Sequence, residues 1–532
     1  MMKKVSIIIS ALVFVSSAVF SQGQLDAYKY SQTDIGGTAR YLGMGGAFGA
    51  LGGDISVMGA NPAGLAVYRS SEIVTTLSHK SMSAQTNWLG STASGSRAGL
   101  NFDNIAYVSY FPTSNDAGIL GWNAGFSYNR IKDYHRNYSM QGMGDENYSL
   151  TDYMAERANA RGVHADNLAI TKDGPDPYAG NNDWMSVLGY DAVLIDAFSD
   201  NRTKYFSTFG EVVDGGKWNP YKLAGRELNV TERGSVDQYN IAFGLNISNY
   251  VMFGADIAIT DINYHYNSYF AEEFTNTNSM KLENRLTTKG EGYALNVGVI
   301  VRPVNFLRLG VAYNSPTWYK MSDFYQATAS SDTYYWKEPI EGAHTPENAS
   351  YDYEYRSPDR WLFSAALVIG QSALLSVDYE RTNYASMKMY NREGVEDRIT
   401  NGDVKDNFSS AGTLRVGGEL KVTPRFAVRA GAAWIGSPVK DVLKNASAEV
   451  YTVGTIPHYT IEKSLTNYTV GLGYRFTPSF YVDLAYVLKS EREDLYAFSN
   501  IYDTKGDKII NSPFASLKTK TSQVAFTLGF KF

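Results

Sequence analysis

From Ser71 to the end of the chain, apolar and polar residues alternate with a period of two. Tyr293, Leu295, Val297, Val299 and Val301 interleave with Ala294, Asn296, Gly298 and Ile300, and Leu375, Val377 and Tyr379 with Ser376, Asp378 and Glu380. Leu414, Val416 and Leu420 enclose Arg415 and Glu419 in the same way. This spacing predicts strands with one apolar face. The opposite face carries small residues and charges of both signs, as the lumen side of a transmembrane barrel does when its apolar side meets lipid. Strands are expected at about 72–80, 102–111, 119–135, 235–248, 250–268, 280–301, 305–325, 353–369, 373–391, 408–422, 425–436, 461–476, 479–491 and 516–532. Short connections such as Ser248–Asn249, Thr423–Pro424 and Thr477–Pro478 alternate with long polar ones near 269–280, 326–352, 392–407, 437–460 and 492–515. A barrel with one rim in the periplasm and the other outside requires that alternation. Fourteen strands put both chain ends on the short-turn side.

The final strand sharpens this reading. Val524, Phe526, Leu528, Phe530 and Phe532 alternate with polar or small residues, and the chain stops on Phe532. As an open edge such a strand would invite aggregation, and closing the barrel removes the edge. Its terminal aromatic residue resembles the signal read by the barrel assembly machinery. One connection, 136–233, is too long for a structureless loop. Within it Leu150, Tyr153, Met154 and Ala158 recur at helical spacing, with Ser149 and Asp152 set as a capping box. Trp184, Leu188 and Ile195 suggest a second helix. Two readings fit this insertion: a helical cap that buries its own apolar face, or an apolar landing surface at the barrel mouth.

The N-terminus begins with Lys3 and Lys4, runs apolar from Val5 to Phe20 and offers small residues for cleavage before Gln22, so residues 1–21 read as an export signal. No later stretch is apolar for long enough to form a membrane helix. Next comes the run Gly36 to Arg69, with eight glycines between Gly36 and Gly53 and then Asn61-Pro62-Ala63-Gly64. So glycine-rich a segment suits compact folding in a narrow space, a stopper inside the wall of strands that follows it at 71–532. The 40 tyrosines suit the two wet, apolar-edged borders of a membrane wall. Absent cysteine excludes disulfides, thiolate metal sites and a lipid anchor on cysteine, and a net charge of −6 gives no reason to expect nucleic acid. The glycine run is not a nucleotide loop, because the third glycine of GxGxxG would fall at Phe48. The six histidines are scattered without metal-ligand spacing, and no GxSxG elbow is present. Neither an enzyme nor a cofactor is expected.

The export signal, the glycine-rich stretch, Asn61-Pro62-Ala63-Gly64-Leu65 and fourteen strands ending in Phe resemble the FadL family of outer-membrane transporters, and the GMGGAFGALGGD run resembles its Bacteroidetes-type branch. The resemblance implies a 14-stranded antiparallel transmembrane β-barrel with an N-terminal plug (hatch) at 22–70 and a partly helical extracellular insertion. It implies passive transport of a hydrophobic small-molecule ligand, such as a long-chain fatty acid, in contact with outer-membrane lipid and lipopolysaccharide. Asn61, Pro62 and Ala63 would border the ligand pocket, with Phe48, Leu51, Met58 and Leu65 supplying apolar lining. Release would be lateral or hatch-gated, at a strand kink for which Gly121 and Gly125 are candidates. Trp184, Met185 and Leu188 are candidates for external docking. The alternatives are a secretion-associated or protein-anchoring barrel with a secreted protein as partner, and haem uptake, against which the lack of paired histidines argues.

Overall fold

A computed structural model describes residues 23–143, 148–171, 174–179, 182–213, 217–332, 340–503 and 505–532. The expected export signal at 1–21 lies outside them. Fourteen antiparallel staves close into a barrel around an N-terminal, non-barrel plug. The first six are Glu72–Trp88, Ser91–Pro112, Ile119–Asp133 with its continuation Arg136–Gly142, Leu223–Ile247, Val251–Phe274 and Ser279–Val304. Three further staves are broken: the seventh (Leu307–Asn314 and Trp318–Ser331), the eighth (Ala349–Arg356 and Arg360–Ile369) and the ninth (Ala373–Asn383 and Lys388–Asn391). Pro316 and Pro358 fall in two of the breaks, where a missing N–H ends the ladder. Ser410–Lys421, Phe426–Ile435, Tyr459–Arg475, Phe480–Tyr496 and Ala515–Lys531 complete the wall. The last stave pairs with the first from Glu72↔Lys531 to Asn87↔Ser516, which seals the cylinder.

Several staves run further than the sequence pattern suggests. Residues 81–101 extend the first hairpin to a tight turn at Leu89–Gly90, both at positive φ. The expected long connection at 269–280 is mostly paired strand, leaving 275–278 as the turn. The outward faces of these extensions are mainly polar while Met82, Trp88, Phe270 and Phe274 turn inward to the core, so the apolar-outside pattern of the membrane wall does not mark them. The insertion is likewise shorter than 136–233, because Arg136–Gly142 pairs with Glu232 through Arg226 of the fourth stave.

Apolar residues face outward in a belt between two aromatic borders. Tyr293, Trp318, Trp361, Tyr379, Trp434, Tyr468 and Tyr486 are exposed toward the long-loop rim, and Tyr250, Phe306, Phe476 and Phe532 toward the short-turn rim. Amphipathic rings sit best at those two levels.

The plug enters as α1 (Gln24–Ser31), continues through an extended linker to α2 (Ala39–Gly43), and ends in two 3-10 turns, Ile55–Gly59 and Pro62–Val67. Asn61 caps the second turn: its Oδ1 accepts from Ala63 N at 3.1 Å while its Nδ2 donates to Gly49 O at 2.6 Å. Pro62 then occupies a first-turn position that needs no N–H. The turn rests on glycines of the wall. Gly244, Gly254 and Gly298 are directly paired across three staves. A Cβ on Gly298 would lie 1.9 Å from Asn61 Oδ1, on Gly254 2.1 Å from the Pro62 carbonyl carbon, and on Gly244 2.8 Å from Ala66 N. A second pair, Gly417↔Gly431, receives Met44 at 2.2 and 2.3 Å by the same measure.

Ionic and polar ties complete the seat. Glu419 accepts from Arg40 of the plug (2.9 Å) and from Arg429 (2.6 Å), whose other arm reaches Asp483 (2.6 Å). Wall side chains also satisfy plug backbone, with Asn246 donating to Ala66 O (3.2 Å) and Asp378 accepting from Gly49 N (2.9 Å). The plug is held at its main chain.

Candidate functional site

Among the described residues, the pairing of the second stave with the third stops partway along the wall. Gly121–Asn129 pairs with Asn104–Pro112, but the third stave slips register against the fourth at Arg130/Lys132 and breaks at Tyr134–His135. Its continuation stays paired with the fourth stave yet lies over the inner face of the first two. Thr86 Oγ1 donates to Ser139 O (2.5 Å), and Gly142 lies close under the Trp88 ring. Among the described residues, Ser91–Phe102 therefore has a ladder partner only on its first-stave side. Backbone of this kind is tolerated at membrane depth where it lines a cavity.

A cavity of about 190 Å³ opens at this gap. Arg97, Ala98, Gly99, Leu100 and Asn101 form one lip and Asp133 and His135 the other, with Lys80, Met82 and Lys489 behind. Leu100 is 84% exposed. A second cavity of about 160 Å³ shares Met82, Asp133, His135 and Lys489 with it and extends beneath the long loops, between Tyr28, Tyr134, Tyr138, Tyr266 and Tyr459. A third, of about 190 Å³, shares Asp34 and Ile35 with the first and reaches down to Gly46, Ser56 and Ala60 of the plug. The three chambers meet around the plug linker.

Charge is concentrated at that junction. Asp34, on the linker, faces Lys489 (2.7 Å) and Lys132 (3.7 Å). Burial alone would raise its pKa, but the two ammonium groups hold it well below the usual carboxylate range. Arg136 bridges Glu232 (2.6 Å) and Glu493 (2.5 Å) on the adjoining wall. His458, in the loop before the twelfth stave, bonds Tyr266, and burial pushes its pKa down to about 3, so it is neutral. These ties connect linker, third stave and thirteenth stave into one network. No group of ligands suited to a metal ion occurs among the described residues.

The residues singled out from sequence are distributed differently. Phe48 and Leu51 pack with Tyr41, Met44 and Val57. Met58 and Leu65 pack with Val74, Val108 and Ala242, and Ala63 with Met252 and Ile300. With Asn61 and Pro62 they are fully buried between plug and wall, and none of the seven lines the three chambers. Gly121 adjoins a register slip at Ile119/Gly121, whereas Gly125 lies in unbroken pairing and receives Met58. The inward turn of the stave comes later, at 130–135, where no glycine marks it.

Trp184, Met185 and Leu188 are at most 4% exposed. They lie on α4 (Trp184–Asp191), against α3 (Leu150–Arg161), inside a cap that buries its own apolar face. The capping box forms as the spacing predicts, with Ser149 Oγ accepting from Asp152 N. Asp183 caps α4 and pairs with Arg157. Burial would raise its pKa, but Arg157 and Arg161 bring it to about 2. Sequence reasoning missed the lips of the gap. Their signal was slight: Ser91–Asp103 is rich in small polar residues, weak material for a paired wall strand.

The fold is that of solved outer-membrane channels. A Pseudomonas aeruginosa FadL homologue superposes with a TM-score of 0.53 at 12% identity, over 94% of this chain and 99% of that one. The P. putida toluene transporter TodX gives 0.50 at 13% identity, over the same 94% and 99%. No curated protein sequence matches. The sequence profile of the outer membrane protein transport protein family (OMPP1/FadL/TodX) matches residues 236–532, more than half the chain, and the chain belongs to that family.

Proposed function

We propose that this barrel carries long-chain fatty acids or comparably apolar compounds through the outer membrane and discharges them sideways through the gap between its second and third staves. Members of the family are non-catalytic channels for hydrophobic small molecules. The long-loop rim faces outward, both chain ends lie in the periplasm, and residues 22–70 act as the hatch. The glycine run fits the Bacteroidetes-type branch.

One observation carries the reading: a chamber reaches the wall gap while the plug fills the short-turn end. A ligand that leaves through the wall avoids water. Re-exposing a hydrocarbon chain costs about 0.8 kcal/mol per methylene, so a lateral path saves more the longer the chain. The buried Asn61-Pro62-Ala63 segment then acts as the footing of the hatch, and the ligand meets the chambers above it.

Gly99→Trp tests the route. Gly99 lines the gap cavity and a Cβ built on it meets nothing within 4 Å, so a bulky side chain there starts in open space at the gap. Uptake of a fluorescent fatty acid by cells carrying the variant should fall to the level of cells lacking the channel, with heat-dependent gel mobility unchanged. Wild-type uptake would refute lateral release.

A further inference from the structure

Beyond the aromatic border at the long-loop rim, the outward faces of the staves differ around the barrel. On the sixth stave Glu283, Arg285, Lys289 and Glu291 are all exposed, a mixture of both signs. On the thirteenth and fourteenth staves the exposed charges are Arg492, Lys518 and Lys520, all positive. Arg492 stands directly opposite Lys518, and their other cross-strand partners are Ser464 and Gln85. Lys520 stands between Ser490 and Ser83. Like charges set opposite each other destabilise a sheet. Among the described residues none of the three cations has an ion pair, whereas neighbouring Lys463 is neutralised by Asp494 at 2.6 Å.

Height identifies the counter-charge. Val524 pairs with Tyr486 of the aromatic border. Lys520 and Lys518 lie four and six residues further along the same strand. At about 3.4 Å per residue and a tilt of about 40°, they stand roughly 10 and 15 Å above the border. That is beyond the roughly 5–7 Å of an ordinary phospholipid headgroup layer, at a height that a larger sugar-phosphate head reaches, over the exposed apolar surface of Val524, Phe526 and Leu484.

We propose that this face is a binding site for a phosphorylated glycolipid of the outer leaflet. Its phosphates sit among Arg492, Lys518 and Lys520 and its acyl chains lie on the apolar strand surface below. Guanidinium and ammonium groups in a row suit phosphate oxygens, and the surrounding serine and glutamine side chains can bond the sugar hydroxyls. The inference rests on the long-loop rim facing outward, as proposed above. The test uses detergent-solubilised protein, so its result does not depend on orientation or on transport.

The purified full chain is titrated in micelles with phosphorylated lipid A, with the same lipid dephosphorylated, and with inorganic phosphate. The variant Arg492→Ser, Lys518→Ser, Lys520→Ser is compared with Lys281→Ser, Arg285→Ser, Lys289→Ser, which removes the same charge from the sixth stave. Gel mobility confirms that both are folded. The first variant should weaken lipid A binding by about tenfold or more, and the second should not. Equal binding of the dephosphorylated lipid, an equal loss in both variants, or no loss in the first would overturn the proposal. Inorganic phosphate binding as tightly as lipid A would instead assign a free-anion site and overturn it too.

Discussion

Adding one methyl group at Gly254 should unseat the plug. The new Cβ would lie 2.1 Å from the Pro62 carbonyl carbon and 2.2 Å from Ala63 N. Carbon atoms rest about 3.5 Å apart, so the overlap is about 1.4 Å. Every nearest atom is main chain, which leaves no side chain to rotate away. Gly254 is not among the residues at positive φ, so alanine brings no backbone strain and the effect is steric alone. Overpacking of this kind costs about 1–3 kcal/mol, which shifts the balance between seated and displaced plug by roughly five- to 150-fold. The assay is single-channel conductance of Gly254→Ala in planar bilayers, with the thermal midpoint measured alongside. Conductance should rise and the midpoint fall. Gly99→Ala, whose Cβ meets nothing within 4 Å, serves as the control and should match wild type in both. Wild-type conductance from Gly254→Ala would refute the argument that the wall glycines hold the plug.

Glu419→Gln should cost about 3–5 kcal/mol, because it leaves Arg40 and Arg429 facing each other across a buried site; an unchanged denaturation midpoint would contradict this. Asp183 titrates near 2 against an ordinary 3.8, so its contribution to the helical cap is complete above pH 3.8 and is lost as the pH falls toward 2. Fluorescence of Trp184, which sits beside it, should report that loss, and Asp183→Asn should abolish its pH dependence. His458 is buried neutral, with its pKa lowered from 6.5 to about 3. Its stabilising effect is present above pH 6.5 and erodes as acid drives protonation in the unfolded chain. His458→Gln should flatten the stability profile between pH 6.5 and 3, as measured by thermal unfolding.

The wall was legible because each membrane-crossing strand must be apolar on its outer face. That condition writes a two-residue period into Tyr293–Val301 and Val524–Phe532. Beyond the aromatic border it lapses, so Met82–Arg97 carries no such period even though it is paired strand. The insertion helices were visible through Ser149, Asp152 and the spacing of Leu150, Tyr153 and Met154, but spacing could not say whether Trp184 pointed in or out. The chambers were hidden for another reason. Their lining comes from α1, the third stave, the thirteenth stave and the loop before the twelfth, segments distant in sequence that only barrel closure brings together. Asn61-Pro62-Ala63 stood out in the sequence, yet its geometry is that of a capped turn on a glycine saddle. The saddle itself left a readable trace: Gly254, Gly298, Gly417 and Gly431 all occupy the polar face of their strands, where a barrel with an open bore would place larger side chains.

The seam between Glu72–Asn87 and Ser516–Lys531 imposes an order of events on biogenesis. Its two halves lie more than 400 residues apart in the chain, so the cylinder stays unsealed until the fourteenth stave meets the first. The plug immediately precedes the first half and is wedged between opposite walls, at Gly254 on one side and Gly431 on the other. Insertion after sealing would require threading a folded segment past its own footing. Assembly must therefore wrap the wall around an occupant already in place, and a chain whose leading segment is slow to collapse would close empty.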